Sequence, residues 1–198
     1  MIKRSLQWSY TVLAPLYDMI VRQPTCAARQ YSLAQIPLQG TVLLCGIGSG
    51  LDIPYLNDDA HYIGIDVTAA MLHRAQKRIQ QHPVDLHQGD VMQLPYKDNS
   101  VDFVVMHLIL AVVPDPQRAL DEAKRVLKPN GYIIIFDKFL KPHQFAPLRR
   151  LISPIMGKIA TRTDVEFEAL DPTGLKLCCN RPALINGWFR HIVLQKVA

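Results

Sequence analysis

Three glycines, Gly46, Gly48 and Gly50, follow the apolar run Val42 to Cys45, and an acidic residue, Asp66, closes the next apolar run, Tyr62 to Ile65. Those residue types at that spacing can bind a nucleoside. Without Cβ atoms the loop turns sharply and lets its backbone approach a ligand. A helix opening behind it, from Leu51 to Leu56, would offer free N–H groups to a negatively charged group. A carboxylate at the end of the second strand can take both hydroxyls of a ribose. The dinucleotide fingerprint G-x-G-x-x-G would place its third glycine at position 51, where Leu51 stands, so a nicotinamide oxidoreductase is disfavoured.

The elements that must position these residues alternate. The apolar patterning predicts strands at 41–46, 61–65, 84–88, 101–106 and 131–137, with helices at 51–56, 69–82 and 116–128 between them. In the second helix Thr68 is placed to cap, and Met71, Leu72, Ala75 and Ile79 share one face. In the third, Asp115 caps, Pro116 takes the first helical position, and Ala119, Leu120, Ala123, Val126 and Leu127 face inward. Two further strand-like runs, 174–179 and 188–196, are joined through Pro182 to Gly187. Continuously apolar strands with helices between them predict a doubly wound, Rossmann-like α/β fold. Its seven-stranded sheet is mostly parallel, has helices on both faces and ends in an antiparallel strand pair. Upstream, 5–36 reads as two helical pieces broken at Pro15 and near Pro24, with Thr25 capping the second.

A G-x-G-x-G loop, then Gly89-Asp90-Val91 after the third strand, Leu94-Pro95-Tyr96, Ser100-Val101-Asp102-Phe103, and Val126 to Gly131 before the fifth strand form one ordered set. In order and spacing it resembles the class I S-adenosylmethionine-dependent methyltransferases over 40–137. Tyr10 through Tyr17-Asp18 is similar to the N-terminal stretch of the quinone-biosynthesis C-methyltransferases and of the bacterial phosphatidylethanolamine N-methyltransferases. The resemblance implies S-adenosyl-L-methionine as cofactor. It implies that Gly46, Gly48 and Gly50 pass under its methionine part, that Asp66 holds the ribose and that Met71 packs on adenine. Asp90 would accept the adenine amino group, Val91 would close the ring's other side, and His107 and Leu108 would border the sulfonium and the acceptor. Each has a plainer alternative: Asp66 as a helix cap beside Thr68, Asp90 as a turn residue, Met71 as core filler, His107 as a hydrogen-bonded spacer. The sequence departs from the family at Leu44, where a carboxylate usually helps anchor the methionine ammonium. Asp52 is the nearest replacement in sequence.

Methyl transfer is a displacement at a carbon already activated by a positive sulfur, so no nucleophilic triad is required, and none is seen. A base matters when the acceptor arrives protonated, as an amine or a phenol does. His107 is the expected base, with Tyr17 as a second candidate. A binding protein without activity is the alternative that Leu44 keeps open.

The acceptor is hinted at by charge. From Lys138 to Thr163 there are six cations and no Asp or Glu, against +5 for the whole chain, interleaved with residues such as Phe145, Leu148, Leu151 and Ile155. That pattern suits either an amphipathic helix on an anionic bilayer or a lid that packs its apolar face on the sheet. Nucleic acid is disfavoured because few aromatics accompany the charge. A small-molecule or lipid acceptor is therefore expected, with 138–162 either making a peripheral membrane contact or serving only as a lid.

At 198 residues and 49% hydrophobic, the chain suits one well-buried domain. Its expected parts are an N-terminal helical cap (1–37), a cofactor-binding core (38–137) and an acceptor-side helix with terminal hairpin (138–198). Cys26, Cys45, Cys178 and Cys179 have no metal-ligand spacing. Ser9, Tyr10, Thr11, Pro15 and Asp18 break up what resembles a signal peptide, so a cytoplasmic protein is expected.

Overall fold

The computed structural model describes residues 22–80, 82–140 and 165–197. Helix α1 (22–33) leads into strand β1 (Gly40–Cys45), a single 3-10 turn (Ile53–Tyr55) and β2 (Ala60–Asp66). Helix α2 (Ala69–Gln76), β3 (Val84–Gln88), β4 (Val101–His107), α3 (Pro116–Val126) and β5 (Leu127–Lys138) follow. A second 3-10 turn (Phe167–Ala169) precedes β6 (Leu175–Pro182) and β7 (Phe189–Lys196). The seven strands form one sheet in the order β3-β2-β1-β4-β5-β7-β6. Strands β1 to β5 are parallel, β7 runs antiparallel to β5, and β6 antiparallel to β7. The strand order reverses between β1 and β4, the place where sheets of this kind open a crevice at the carboxyl ends of their strands.

Side chains alternate across each strand, so one apolar run supplies two cores. Leu43, Val104, Met106 and Ile133 lie with α3 through Ala119, Leu120 and Ala123. Val42, Leu44, Phe103, Val105 and Ile134 lie on the other face with Leu33 of α1, Ile53 and Ala75. Leu44, which stands where a carboxylate was expected, is 1% exposed within that second core.

Several boundaries differ from the sequence pattern for local reasons. The helix expected at 51–56 is only the turn Ile53–Tyr55, with Pro54 inside it. Helix α2 stops at Gln76 rather than 82, and the chain goes on as turns through residue 80. Pro24 does not break α1, which is helical from residue 22. Thr25 is not its cap; its hydroxyl accepts a hydrogen bond from Arg29 Nε at 3.0 Å. Thr68 occupies the N-cap position of α2 without a side-chain capping bond, whereas Asp115 accepts from Arg118 N at 3.0 Å as expected. Strand β5 begins at Leu127 because that residue already pairs with Val101, well before the run Tyr132 to Phe136. Tyr17, Tyr10 to Asp18 and 141–162 lie outside the described residues.

Candidate functional site

The glycine loop leaves β1 with Gly46 and Ile47 both donating to Ile65 O, at 2.8 and 3.1 Å. Gly48 and Gly50 have φ of +57° and +80°, in the left-handed region. A Cβ on Gly50 would strike Ile53 and Ala75, so this glycine serves the packing of α2 against the loop. Gly48 differs: a Cβ there would meet nothing nearer than Gly46 O at 3.9 Å. Its Cα side is open, as a backbone cradle for a ligand must be.

Asp66 faces the same space. One carboxylate oxygen accepts Gly48 N at 2.9 Å and the other Thr68 N at 2.8 Å, so the side chain ties the loop after β1 to the start of α2. Burial raises its carboxyl above the ordinary range, and these N–H bonds oppose the rise. Each oxygen keeps a lone pair for a further donor. Gly46, Gly48, Asp66, Val67, Thr68, Met71, Leu108, Ile109 and Val112 line one cleft of about 460 Å³ including its open mouth. It lies at the ends of β1, β2 and β4, at the switch point. Leu108 enters its wall with φ +56°, a strained backbone for a leucine, held by its N–H to Phe136 O at 2.8 Å.

The expected site residues therefore divide. Gly46, Gly48, Asp66, Met71 and Leu108 come together on the cleft, and Gly50 stands behind it. Asp90 and Val91 are not among the lining residues. The Asp90 carboxylate accepts Met92 N at 2.9 Å, and Val91 is buried in the α3-side core. Val67, Thr68, Ile109 and Val112 were not foreseen. For Ile109 and Val112 the only signal in the sequence was the apolar run from Leu108 to Val113 past the end of β4; Thr68 was read only as a cap, and Val67 carried no signal.

His107 is placed differently from the expectation. Its side chain is 1% exposed, with Nδ1 2.8 Å from Asp52 Oδ1 and Nε2 3.0 Å from Ser32 Oγ. A carboxylate only accepts, so Nδ1 carries a proton, and Nε2 shares the second hydrogen bond with the Ser32 hydroxyl. Both nitrogens are engaged, which corrects the reading of His107 as a base facing the acceptor. The same Asp52 oxygen accepts Arg29 Nη1 at 2.8 Å. Burial pushes the Asp52 carboxyl upward, but the charges and hydrogen bonds of Arg29 and His107 outweigh it and hold it well below the usual range. Asp52 thus latches α1 and β4 together on the Leu44 face.

Two more buried titratable groups lie at this end of the sheet. The Asp137 carboxylate accepts Ala111 N at 3.1 Å and Lys138 N at 2.8 Å, fixing the loop that carries Ile109 and Val112. Burial pushes its carboxyl up to about 6 despite those bonds. The His191 ring stacks on Phe136, 5.1 Å between centroids, and burial, aided by the charge of His107, pushes it down to about 4. A raised carboxyl contributes stability that is complete below its unfolded value, near 3.9, and lost as pH rises through about 6. Relative to the wild type, Asp137→Asn should therefore gain on the order of 2–3 kcal/mol in urea unfolding between pH 4 and pH 7.5. A difference that stays constant across that range would assign the alkaline limb to another group. The depressed His191 works in the other direction, its contribution being complete above about 6.5 and lost as pH falls toward 4.

A family model described as a methyltransferase domain matches residues 43–135, the segment that builds the cleft. Over 189 residues the chain is 30% identical to a phosphatidylethanolamine N-methyltransferase from Cereibacter sphaeroides, covering 91% of this chain and 93% of the relative. The chain belongs to the S-adenosylmethionine-dependent methyltransferases. This methyltransferase is also 31% identical over 189 residues to a demethylmenaquinone methyltransferase from Lactiplantibacillus plantarum, covering 85% of this chain and 79% of that one. A solved S-adenosylmethionine-dependent methyltransferase from Thermotoga maritima shares the fold, with a TM-score of 0.73 at 21% identity over 96% of this chain and 99% of that chain. The methyltransferase's cofactor is S-adenosyl-L-methionine, and the open cradle at Gly48 beside a buried carboxylate suits a nucleoside of that kind. Among the described residues no helix is long and apolar enough to cross a membrane.

Proposed function

We propose that the methyltransferase alkylates a lipid-like acceptor, the amine of a phospholipid headgroup. The observation that carries this is the nearly end-to-end similarity to the phosphatidylethanolamine enzyme, which extends beyond the cofactor core at both ends. The apolar wall of the cleft, Leu108, Ile109 and Val112, is in keeping with such an acceptor. S-Adenosylmethionine supplies the methyl group on a positively charged sulfur, so the protein's part is position and the exclusion of water. In this reading Asp66 accepts the ribose hydroxyls, the backbone at Gly46 and Gly48 runs beneath the methionine part, and Met71 lies against the adenine. Leu108, Ile109 and Val112 then keep water from the reacting carbon, and orientation of this kind can supply roughly 7–11 kcal/mol of a barrier. Asp52 and His107 act from behind, fixing α1 over the sheet. The chain is read as one unit, with 1–37 as cap, 38–137 as cofactor core and 138–198 on the acceptor side; 138–162 is read as the element that admits the acceptor, at a bilayer or as a lid.

The similarity to the demethylmenaquinone enzyme favours a quinone-type ring as second reading. One incubation separates them. Protein, cofactor and a bacterial lipid extract are combined, in parallel with a demethylated quinone, and products are read by mass. A gain of one methylene in the phosphatidylethanolamine fraction is expected. A gain in the quinone alone transfers the assignment, and no gain in either overturns both.

A further inference from the structure

The β6–β7 hairpin has features that neither the cleft nor the core uses. Strand β6 is an edge of the sheet, and Lys176, Leu177, Cys178, Asn180 and Arg181 on it are all exposed. Residues 172–198 hold four cations and no Asp or Glu. Of these, Arg190 turns inward onto Glu168 at 2.6 Å, and Lys196 donates to Asn99 Oδ1 and to the carbonyls of Lys124 and Leu127. Lys176 and Arg181 remain as the hairpin's exposed charges.

Its tip is built in an uncommon way. Ile185, Asn186 and Gly187 have φ of 51°, 53° and 83°, one left-handed turn closed by Gly187 N to Leu184 O at 3.2 Å and Trp188 N to Ile185 O at 3.0 Å. Left-handed backbone is costly for any side chain with a Cβ and is an outlier for a branched one. Burial does not compensate, because Ile185 is 64% exposed. The turn holds an isoleucine out in water, and strain of that kind marks sites with a use.

Register gives the tip its place. Phe189 lies opposite Lys138, and His191 opposite Phe136, which is itself opposite His107. The tip is therefore at the end of the sheet where the cleft opens. Two more exposed apolar residues share this rim: Val67, which lines the cleft, and Tyr31, whose hydroxyl accepts Arg181 Nη1 at 3.3 Å.

We propose that this rim docks on an anionic bilayer, with Ile185 entering the interface and Arg181 meeting lipid phosphates. Charge and shape choose the occupant. The exposed Ile185 with Arg181 beside it on the same rim fits a negative surface, whereas a second copy of the same edge would bring like charges together. The docking goes beyond the assignment of the acceptor and does not depend on it. If the acceptor is a phospholipid, docking brings the headgroup to the mouth of the cleft.

The test mixes the full chain, without cofactor, with vesicles of phosphatidylglycerol and phosphatidylcholine in equal parts, or of phosphatidylcholine alone, and sediments them. The wild type should pellet with the anionic vesicles at low salt and be released by added salt. Arg181→Gln should weaken binding about fivefold. Ile185→Asn, which accepts left-handed backbone more readily, should weaken it about tenfold while the melting temperature holds or rises. A wild type that stays in the supernatant overturns the proposal. So do variants that bind like the wild type, which would move the contact to 138–162, and so does an Ile185→Asn protein that melts lower, which would make Ile185 a packing residue. Turnover on a soluble short-chain acceptor, measured separately, tests the acceptor assignment alone.

Discussion

Asp52→Ala is expected to lower the stability of the folded protein by about 3–5 kcal/mol, the usual result of removing one partner from a buried ion pair. The side chains of Arg29 and Asp52 are each 6% exposed, and that of His107 is 1% exposed. Without the carboxylate, a guanidinium and an imidazole N–H remain buried with a cavity between them. Asp52→Asn keeps an oxygen for both donors but loses the charge, so it should fall between the alanine variant and the wild type. Urea unfolding reads both, and the midpoint should move while the slope does not. The acid dependence has a fixed sign. A carboxyl held below its unfolded value contributes stability that is complete above about pH 4 and lost as pH falls toward the folded value. The mutant deficit should accordingly be constant from pH 5 upward and shrink in strong acid. A deficit below about 1 kcal/mol at neutral pH would show the latch between α1 and β4 to be energetically idle.

Asp66→Ala should weaken binding of S-adenosylmethionine and of its demethylated product by about 2–4 kcal/mol, thirtyfold to nearly a thousandfold. Two losses combine. The ribose loses its acceptor, and Gly48 N and Thr68 N lose theirs, so the glycine loop is no longer tied to α2. Asp66→Asn restores one acceptor oxygen and should recover part of the affinity. Calorimetry with both ligands measures this. Equal binding by the alanine variant, or none by the wild type, would remove the nucleoside from this cleft.

What could be read from the sequence follows the range of the interactions. Strands β1, β2 and β4 carry apolar runs and β3 alternates as Val84-Asp85-Leu86, and the boundaries of all four hold to within a residue. Asp115 and Pro116 mark the start of α3 because capping is local. The 3-10 turn at Ile53–Tyr55 was harder, because Asp52 is drawn inward by Arg29 and His107, residues far away in the chain. The same distance hid the role of His107. A histidine ending an apolar strand looks the same whether it opens on a cleft or meets a serine 75 positions earlier. Gly46, Gly48 and Asp66 were legible as a group because left-handed backbone calls for glycine at the first two and the two N–H groups of Gly48 and Thr68 call for a carboxylate at the third. Val67, Ile109 and Val112 were not, because any apolar residue could serve there.

Strand β7 lies between β5 and β6, which has a consequence for the chain while it is being made. The parallel half of the sheet has all its strands once residue 138 has been synthesised, yet β5 then presents a bare edge of Ile133, Ile134 and Ile135. About 60 further residues must be translated before β7 can seal it, a delay of roughly 3–12 s at ordinary ribosomal rates. During that interval the nascent chain offers an apolar, unpaired strand to any neighbour, the usual starting point for aggregation. Premature termination before residue 189 would therefore yield not a smaller cofactor-binding protein but a chain that needs a chaperone to stay in solution.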